Sequence, residues 1–363
     1  MIDSSDELTT AAQGRLEHAR AEFGAEVIYL NTASMGLPPR RSLDALRSTL
    51  GSWRSGTAEP SDYDPPLTAA RASYARMVGV EASSVAVGSQ VSVFAGLVAA
   101  SLPSNSEVLT AVGDFTSILF PFHVQERRGI TVREVPLEHL AAEVTSRTAL
   151  VSISAVQSAN GRVADLDALA AACAATGARV LLDTTQAVGW LPVDAGRFAY
   201  TVCAGYKWLL APRGTAYFTV QPDLRDDLFP HTAGWYAGHE PWASIYGTPL
   251  RLAPDARRFD VSPVWHAWVG AAPALDLLTG IGSGALNAHA VGLAERFCAA
   301  VGLPPAGSAI VSAVADDDVP RLMAEARIVG SVRAERLRLA FHVSTSEDDA
   351  DRAAEVLRGH LRR

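Results

Sequence analysis

Seven short apolar runs alternate with helical stretches between Val85 and Thr219, and this alternation constrains the fold of the 363-residue chain most strongly. The runs lie at Val85–Val87, Val108–Val112, Thr131–Val135, Ala149–Ile153, Arg179–Asp183, Tyr200–Cys203 and Ala216–Val220. Continuous apolar strands interleaved with helices are typical of a mainly parallel sheet that is covered on both faces. We therefore predict an α/β domain built on a mainly parallel seven-stranded sheet between helices.

Polar side chains follow these strands at the edge where such sheets bind ligands. Ligands of open α/β sheets bind outside the carboxyl ends of the strands. The residues at or just past those ends are Gln90, Asp114, Gln157, Asp183 and Lys207. Their clustering predicts a single binding site at this edge.

Lys207 stands in the segment Cys203-Ala-Gly-Tyr-Lys-Trp208, downstream of Asp183, which ends an apolar run. An apolar and aromatic setting favours the neutral amine, which can attack an aldehyde. Pyridoxal phosphate (PLP) enzymes need such a lysine for a Schiff base and an acid against the pyridine nitrogen. The alternative, a solvated surface lysine, explains neither the setting nor the aspartate. The pair predicts a PLP site with Lys207 and Asp183 as its catalytic residues.

The second half of the chain has a different pattern. Residues 231–262 are rich in Trp, Tyr, Gly, His and Pro without a clear period, which predicts a long loop beside the site. Two helices and a small α+β lobe follow, closed by a helix that a capping box at Ser346 opens and that runs to Leu361. We predict an N-terminal helical segment (1–30) that belongs to the small lobe, a large PLP-binding domain (31–262) and a small C-terminal domain (263–363).

Composition limits the partners. The net charge is −8 and no basic stripe is present, which argues against a nucleic-acid partner. Cys173, Cys203 and Cys298 show neither metal-ligand spacing nor a disulfide framework, so we predict no metal and a reducing, cytoplasmic compartment. No apolar run reaches the length of a membrane span, and the acidic N-terminus lacks a signal pattern. We expect no membrane partner.

With these residues in place, the chain resembles the class V aminotransferase family of fold-type I PLP enzymes, which includes cysteine desulfurases, kynureninases and isopenicillin N epimerase-like proteins. The resemblance runs from about Tyr29 to Leu357. Its most specific segments are Leu182-Asp-Thr-Thr-Gln-Ala-Val-Gly189 and Gly205-Tyr-Lys-Trp208. It implies the fold-type I architecture and a homodimer with shared active sites.

The resemblance also implies a set of cofactor contacts. Asp183 matches the residue that pairs with the pyridine nitrogen, and Gln186 matches the one that hydrogen-bonds the phenolic oxygen. Tyr206 matches the phosphate-binding tyrosine of kynureninase-like members. The remaining matches are Ser89 and Gln90 of the phosphate loop, Phe115 as a ring-stacking residue, and Ser262 as the hydroxyl that reaches the phosphate in the neighbouring subunit.

On the substrate side, Arg338 matches the arginine that holds the α-carboxylate in a bidentate fork, with Arg333 and Arg336 as rivals. The other candidates are Asn31 and Thr32 of the N-terminal loop, Gln157, and His231 and Trp235 of the aromatic loop. That loop would suit a substrate with a sizeable side chain.

Four reactions are open once Cα loses its proton: transamination, epimerisation, β-elimination, and removal of sulfur or alanine. Cysteine desulfurase is disfavoured because the segment from Ala306 to Arg338 holds no cysteine, and no match to kynureninase substrate recognition is found. We predict a PLP-dependent lyase or aminotransferase acting on an L-amino acid, with β-elimination from a cysteine-derived substrate ahead of transamination and epimerisation. A PLP-binding protein without turnover is the alternative from another class.

Overall fold

The computed structural model describes residues 13–363, so the part of the predicted N-terminal helix over residues 1–12 lies outside the described residues. Residues 13–20 are helical. The strands are β1 (Ile28–Tyr29), β2 (Val85–Gly88), β3 (Glu107–Ala111), β4 (Thr131–Val135), β5 (Thr148–Ser154), β6 (Arg179–Asp183), β7 (Tyr200–Ala204), β8 (Ala216–Val220), β9 (Ile310–Ala315), β10 (Ile328–Val329), β11 (Ser331–Arg333), β12 (Arg336–Ala340) and β13 (Leu361–Arg362). The helices are α1 (Arg40–Ser55), α2 (Asp64–Met77), α3 (Val91–Ser101), α4 (Thr116–His123), α5 (Leu166–Thr176), α6 (Trp265–Ile281), α7 (Ser283–Val301), α8 (Val319–Glu325) and α9 (Glu347–Leu357).

The seven predicted strands form one sheet, in the order β2-β8-β7-β6-β5-β3-β4. The five strands from β7 to β4 run parallel, whereas β8 pairs antiparallel with both β7 and β2. The predicted α/β fold with a mainly parallel seven-stranded sheet is therefore confirmed. Its carboxyl edge receives the turns that follow β3, β6 and β7, and these turns carry the candidate site.

Local signals explain several helix ends. Asp165 caps α5 by accepting from the backbone of Ala168 at 2.9 Å, and Gly177 ends it at φ 77°. The predicted capping box at Ser346 opens α9. That helix ends at Leu357 rather than at the predicted Leu361, because Gly359 turns the chain at φ 84° into β13, which pairs with β9.

The C-terminal lobe holds a four-stranded sheet in the order β11-β12-β9-β13. The segment 328–333 forms two strands rather than one, because β10 pairs with β1 while β11 pairs with β12. The N-terminal segment thus joins this lobe through β1 and through the bridge of Asn31 to Ala340. The domain boundaries after residues 30 and 262 stay predictions.

Helix α6 packs against α1 and α2, neither of which the sequence analysis predicted. No single helix within residues 13–363 is long and apolar enough to cross a membrane. The consecutive helices α6 and α7, bent by 86°, pass that test only as a pair, by length and composition. Much of α6 is buried inside the fold, including Trp268, Leu275 and Leu278.

Candidate active site

Lys207 lies in the turn after β7 and is the only lysine of the chain. Its side chain is buried, with Nζ 5.2 Å from the centre of the Phe115 ring and 5.7 Å from that of Tyr206. Burial lowers the pKa of Lys207 to about 8, although the Asp183 carboxylate opposes this shift. A lysine with this pKa is partly neutral near pH 7, so it can act as a nucleophile or a base.

The N-terminal loop fixes the lysine turn from the other side. Gly36 donates its backbone N–H to the carbonyl of Tyr206 at 2.9 Å. A Cβ on Gly36 would lie 2.1 Å from the carbonyl oxygen of Lys207, so only glycine allows this approach. The loop that carries Asn31 and Thr32 is thereby held against the turn that carries Lys207.

Asp183 ends β6 beneath the same cavity. It is 4% exposed, and its Oδ1 accepts the backbone N–H of Thr185 at 2.8 Å. None of the residues 13–363 forms an ion pair with it, and burial raises its pKa to about 6. A buried carboxylate with so little compensation requires a protonated partner. A protonated pyridine nitrogen meets that requirement, so the residues present fit PLP.

Gln186 is held in one orientation by two tryptophans. The indole of Trp208 donates to Oε1 at 2.7 Å, and the indole of Trp190 donates to the backbone carbonyl at 2.6 Å. The amide nitrogen of Gln186 therefore faces the other way and donates to Ser158 Oγ at 3.0 Å. The same amide nitrogen donates to the carbonyl of Ala33 at 3.0 Å, so both of its hydrogens are used and the Ser158 hydroxyl, which accepts one of them, is left to donate its own hydrogen.

The opposite end of the cavity is suited to an anion. It is lined by Ser89, Gln90 and Ser92, where the N-terminus of α3 directs its first backbone N–H groups outward. Tyr206 and Arg213 line the same cavity, whose empty volume is ≈590 Å³. The guanidinium carbon of Arg213 lies 5.3 Å from the centre of the Tyr206 ring, and no acidic residue of the described chain pairs with it.

Arg338 on β12 approaches the Ser158 wall. Only 2% of it is exposed, yet it has no acidic partner among residues 13–363. It donates to the carbonyl and to the Oγ of Ser158 and, at 2.8 Å, to Ser34 Oγ, while its buried Nε has no partner. Burial, with the nearby charge of Arg333, lowers the pKa of Arg338 to about 10. A buried guanidinium left unpaired by the protein is suited to a ligand carboxylate.

Comparison with known proteins decides the family. The family model for the class-V aminotransferases matches residues 63–313, well over half of the chain. The chain belongs to the class-V aminotransferase family. The predicted resemblance is confirmed, and the protein is a PLP-dependent enzyme of this family.

Relatives within the class-V family differ in their reactions. The chain is 28% identical to isopenicillin N epimerase of Streptomyces clavuligerus over 294 residues, which cover 72% of each chain. It is 28% identical to kynureninase of Deinococcus radiodurans over 312 residues, 79% of this chain and 74% of the kynureninase. A solved cystine C–S lyase in complex with its product cysteine persulfide has a TM-score of 0.83 at 20% identity, covering 93% of this chain and 98% of the lyase. This structural similarity shows that the chain and the C–S lyase share a fold.

The structure brings many of the predicted site residues of this class-V enzyme to one cavity. Those that line it are Ser89, Gln90, Phe115, Asp183, Gln186, Tyr206 and Lys207. Arg338 reaches it through Ser158, and the loop with Asn31 and Thr32 lies beside Arg338, with Asn31 Oδ1 and Thr32 Oγ1 buried and unpaired. Their roles remain predictions, although their placement agrees with them.

Four other predicted residues do not line this cavity. Gln157 is buried and turned toward Asp114, to which its amide donates at 3.2 Å. The exposed His231 contacts its neighbour Phe229, and Trp235 packs against Trp242. Ser262 is exposed, next to Val261, which donates to the carbonyl of Val87 on β2. Their functional roles stay predictions.

The sequence segment that carries Gln157 also offers Ser158, and the structure places Ser158 rather than Gln157 in the cavity wall because the local turn directs Gln157 toward Asp114. Arg213 lines the cavity and was not predicted as a site residue. Arg213 is exposed and carries no local pattern that separates it from other surface arginines. One sequence signal was available for the lysine: no other lysine of the chain could form the Schiff base.

Proposed function

We propose that this class-V enzyme is a C–S lyase that releases pyruvate, ammonia and a thiol from a cysteine-derived L-amino acid by β-elimination. The observation that carries the proposal is the placement of the buried Lys207 amine in a cavity that no cysteine of residues 13–363 lines, so a departing sulfur has the lysine but no protein thiol beside it. Burial also lowers the pKa of Lys207, so the same group can take the Cα proton and return it to the sulfur.

The chain's own residues divide the work. Arg338 binds the α-carboxylate. The amide of Gln186 donates to the hydroxyl oxygen of Ser158, and this contact holds that hydroxyl beside Arg338. PLP, when bound, withdraws electrons from Cα and so acidifies its C–H bond. Lys207 takes that proton, the C–S bond breaks with its electron pair on sulfur, and the Lys207 ammonium protonates the thiolate. Loss of the thiol leaves 2-aminoacrylate, which tautomerises to the imine, and one water hydrolyses that imine to pyruvate and ammonia.

The proposal also assigns the cofactor contacts to residues that line this cavity. Asp183 keeps the pyridine nitrogen protonated, and Phe115 stacks on the ring. Ser89, Gln90 and Tyr206 hold the phosphate. Arg213 supplies a positive charge at that end, which a phosphate dianion requires. The support for these roles is that the polar groups converge on one cavity.

The cysteines argue against transfer of sulfur to the protein. All three are buried, and burial raises the pKa of Cys203 to about 12 and those of Cys173 and Cys298 to about 11. Such thiols are poor nucleophiles because the thiolate is the reactive form. In the proposed reaction the sulfur therefore leaves as a small molecule.

A homodimer in the cytoplasm is part of the proposal. The cysteines are unpaired, which suits a reducing compartment. Large apolar side chains stand exposed at Phe120, Phe229, Tyr246 and Leu250, which supports a contact with a second copy. Ser262 is exposed and would be available to such a copy. Size-exclusion chromatography with light scattering on the PLP-loaded enzyme should give twice the mass of one chain. A mass equal to one chain would refute the dimer.

Transamination and epimerisation differ from elimination only in where the proton returns and whether a group leaves. The epimerase relative favours epimerisation as the second candidate. The decisive experiment supplies the PLP-loaded enzyme with S-substituted L-cysteines and analyses the products. Pyruvate and ammonia in equal amounts support the lyase. A keto acid that retains the sulfur would establish transamination, the D-enantiomer would establish epimerisation, and binding without any product would leave a PLP-binding protein.

A further inference from the structure

Two arginines of one hairpin converge on the same hydroxyl. Arg333 lies on β11 and Arg338 on the paired strand β12. Their guanidinium groups donate to Ser34 Oγ at 3.3 Å and 2.8 Å, respectively. Neither forms an ion pair with an acidic residue of the described chain. Two unpaired cations therefore stand side by side where the substrate's α-carboxylate is proposed to bind.

The two arginines differ in exposure. Arg338 is buried against Ser158 of the cavity wall, whereas Arg333 is exposed and also donates to the carbonyl of Val332 at 2.7 Å. The third arginine of the hairpin, Arg336, turns away and donates to Ser312. Arg333 therefore lies at the exposed rim of the proposed carboxylate site, and Arg338 lies deeper in the same site.

The turn of this hairpin has a strained backbone conformation. Arg333 pairs with Arg336 across a two-residue turn, Ala334-Glu335, in which both residues have positive φ, 45° and 61°. Such turns favour Asn and Gly, and non-glycine residues in this region are strained. The turn sets the backbone register of Arg333, and the contact with Ser34 Oγ places its exposed guanidinium beside Arg338.

Charge balance points to a second anion. Both guanidinium groups contribute to lowering the pKa of Lys207, so both charges act on the cavity. One α-carboxylate can pair with the buried Arg338, and Arg333, beside it on the exposed side, is available to a second anion. We propose that Arg333 binds a second anionic group, so that the substrate is an L-amino acid whose side chain ends in a carboxylate. Combined with the proposed lyase activity, on which this last step rests, the substrate is a cysteine whose sulfur carries an acidic substituent.

Binding to the holoenzyme tests the second anion without reference to turnover. L-Glutamate and L-glutamine are matched in shape and differ in one charge. Each is titrated into PLP-loaded enzyme, and binding is followed by the change in the visible absorption of the cofactor. We expect wild type to bind L-glutamate roughly fivefold more tightly, the size typical of a partly exposed ion pair. Arg333→Gln should abolish this preference and leave L-glutamine within twofold, whereas the surface variant Arg321→Gln should retain it.

Two results would overturn the inference. Equal weakening of both ligands in Arg333→Gln would place Arg333 on the α-carboxylate, and an unchanged preference would remove it from the site. Turnover of S-(2-carboxyethyl)-L-cysteine and S-propyl-L-cysteine separates this inference from the lyase proposal. Pyruvate should form faster from the acidic substrate. A glutamate preference without pyruvate from either compound would refute the lyase and uphold the second anion site.

Discussion

Two regions of the molecule bury charged side chains, but only one of them pairs these charges with each other. Beneath β2, Arg71 and Asp260 form a bidentate pair with contacts of 3.1 Å and 2.6 Å. The same carboxylate accepts the backbone N–H of Val87 at 2.7 Å. At the cavity, Arg338 and Asp183 are as deeply buried, but no ion pair within the described part of the chain compensates either of them.

The difference separates structure from function. Burying a charge is unfavourable unless it is paired and hydrogen-bonded. The Arg71–Asp260 pair satisfies this condition internally and contacts β2, which leads into the proposed phosphate loop. Arg338 and Asp183 have hydrogen bonds but no charged partner within the described residues, so we expect them to lower the stability of the empty protein and to favour ligand binding.

Lys207→Ala should have the largest effect, because it removes the proposed Schiff-base lysine and general base. We expect turnover to fall at least about a thousand-fold, the range of a lost general base. Thermal unfolding of the cofactor-free protein should stay near that of wild type. Pyruvate formation and borohydride trapping of PLP measure the loss, and trapping is unambiguous because the chain has no other lysine. Retained turnover would contradict the assignment.

Arg71→Gln and Arg338→Gln test the comparison directly. Arg71→Gln leaves Asp260 buried without a cation and should lower the free energy of unfolding by about 3–5 kcal/mol. Arg338→Gln should leave that free energy unchanged or raise it, while KM for the amino acid increases about 100-fold. Urea unfolding and steady-state kinetics give both quantities. If both variants lowered the free energy of unfolding equally, the two regions would not differ in the way described.

Much of the fold follows from local signals, and the unpredicted parts depend on long-range contacts. The strands and the caps at Asp165 and Ser346 could be predicted because their patterns are local. The antiparallel direction of β8 was not predicted, although the loop 205–215 is too short for a crossover helix. The sequence could indicate Asp183 and Lys207 because strand ends meet at one edge. It offered Arg333 only as a rival of Arg338 and could not separate their positions, because these depend on Ser34, far away in the chain.

Asp183→Asn should stabilise the empty enzyme in a pH-dependent way. The pKa of Asp183 in the folded protein is about 6, above the value of about 3.9 expected when unfolded. The folded state therefore binds the proton more tightly, and stability falls as pH rises from about 4 through 6. Removing the charge should raise Tm at pH 7.5 but have little effect at pH 4, and it should weaken PLP binding.

The buried Asp114 serves as the control for Asp183. Its carboxylate accepts from the backbone of Phe115 and Ser154 and from the amide of Gln157. Asp114→Asn would turn an amide group toward those donors and should lower Tm at pH 7.5. The same sign of change in both variants would contradict the account.

Arg213→Ala is expected to have the smallest effect, because this cation is exposed at the phosphate end. We expect PLP to bind about tenfold more weakly, since one charge-assisted contact is lost. Binding of pyridoxal, which lacks the phosphate, should not change. Fluorescence titration of the cofactor-free protein with both compounds measures this. Equal weakening for PLP and pyridoxal would show that Arg213 does not act on the phosphate.

The central claim is that Lys207 moves the proton of Cα within the cavity that Asp183 and Ser158 line. The most direct measurement follows the α-proton of an L-amino acid without a leaving group, such as L-alanine, by NMR in D2O with the PLP-loaded enzyme. We predict that the α-proton exchanges for deuterium with wild type and does not exchange with Lys207→Ala. No exchange with wild type, or equal exchange with both, would contradict the account.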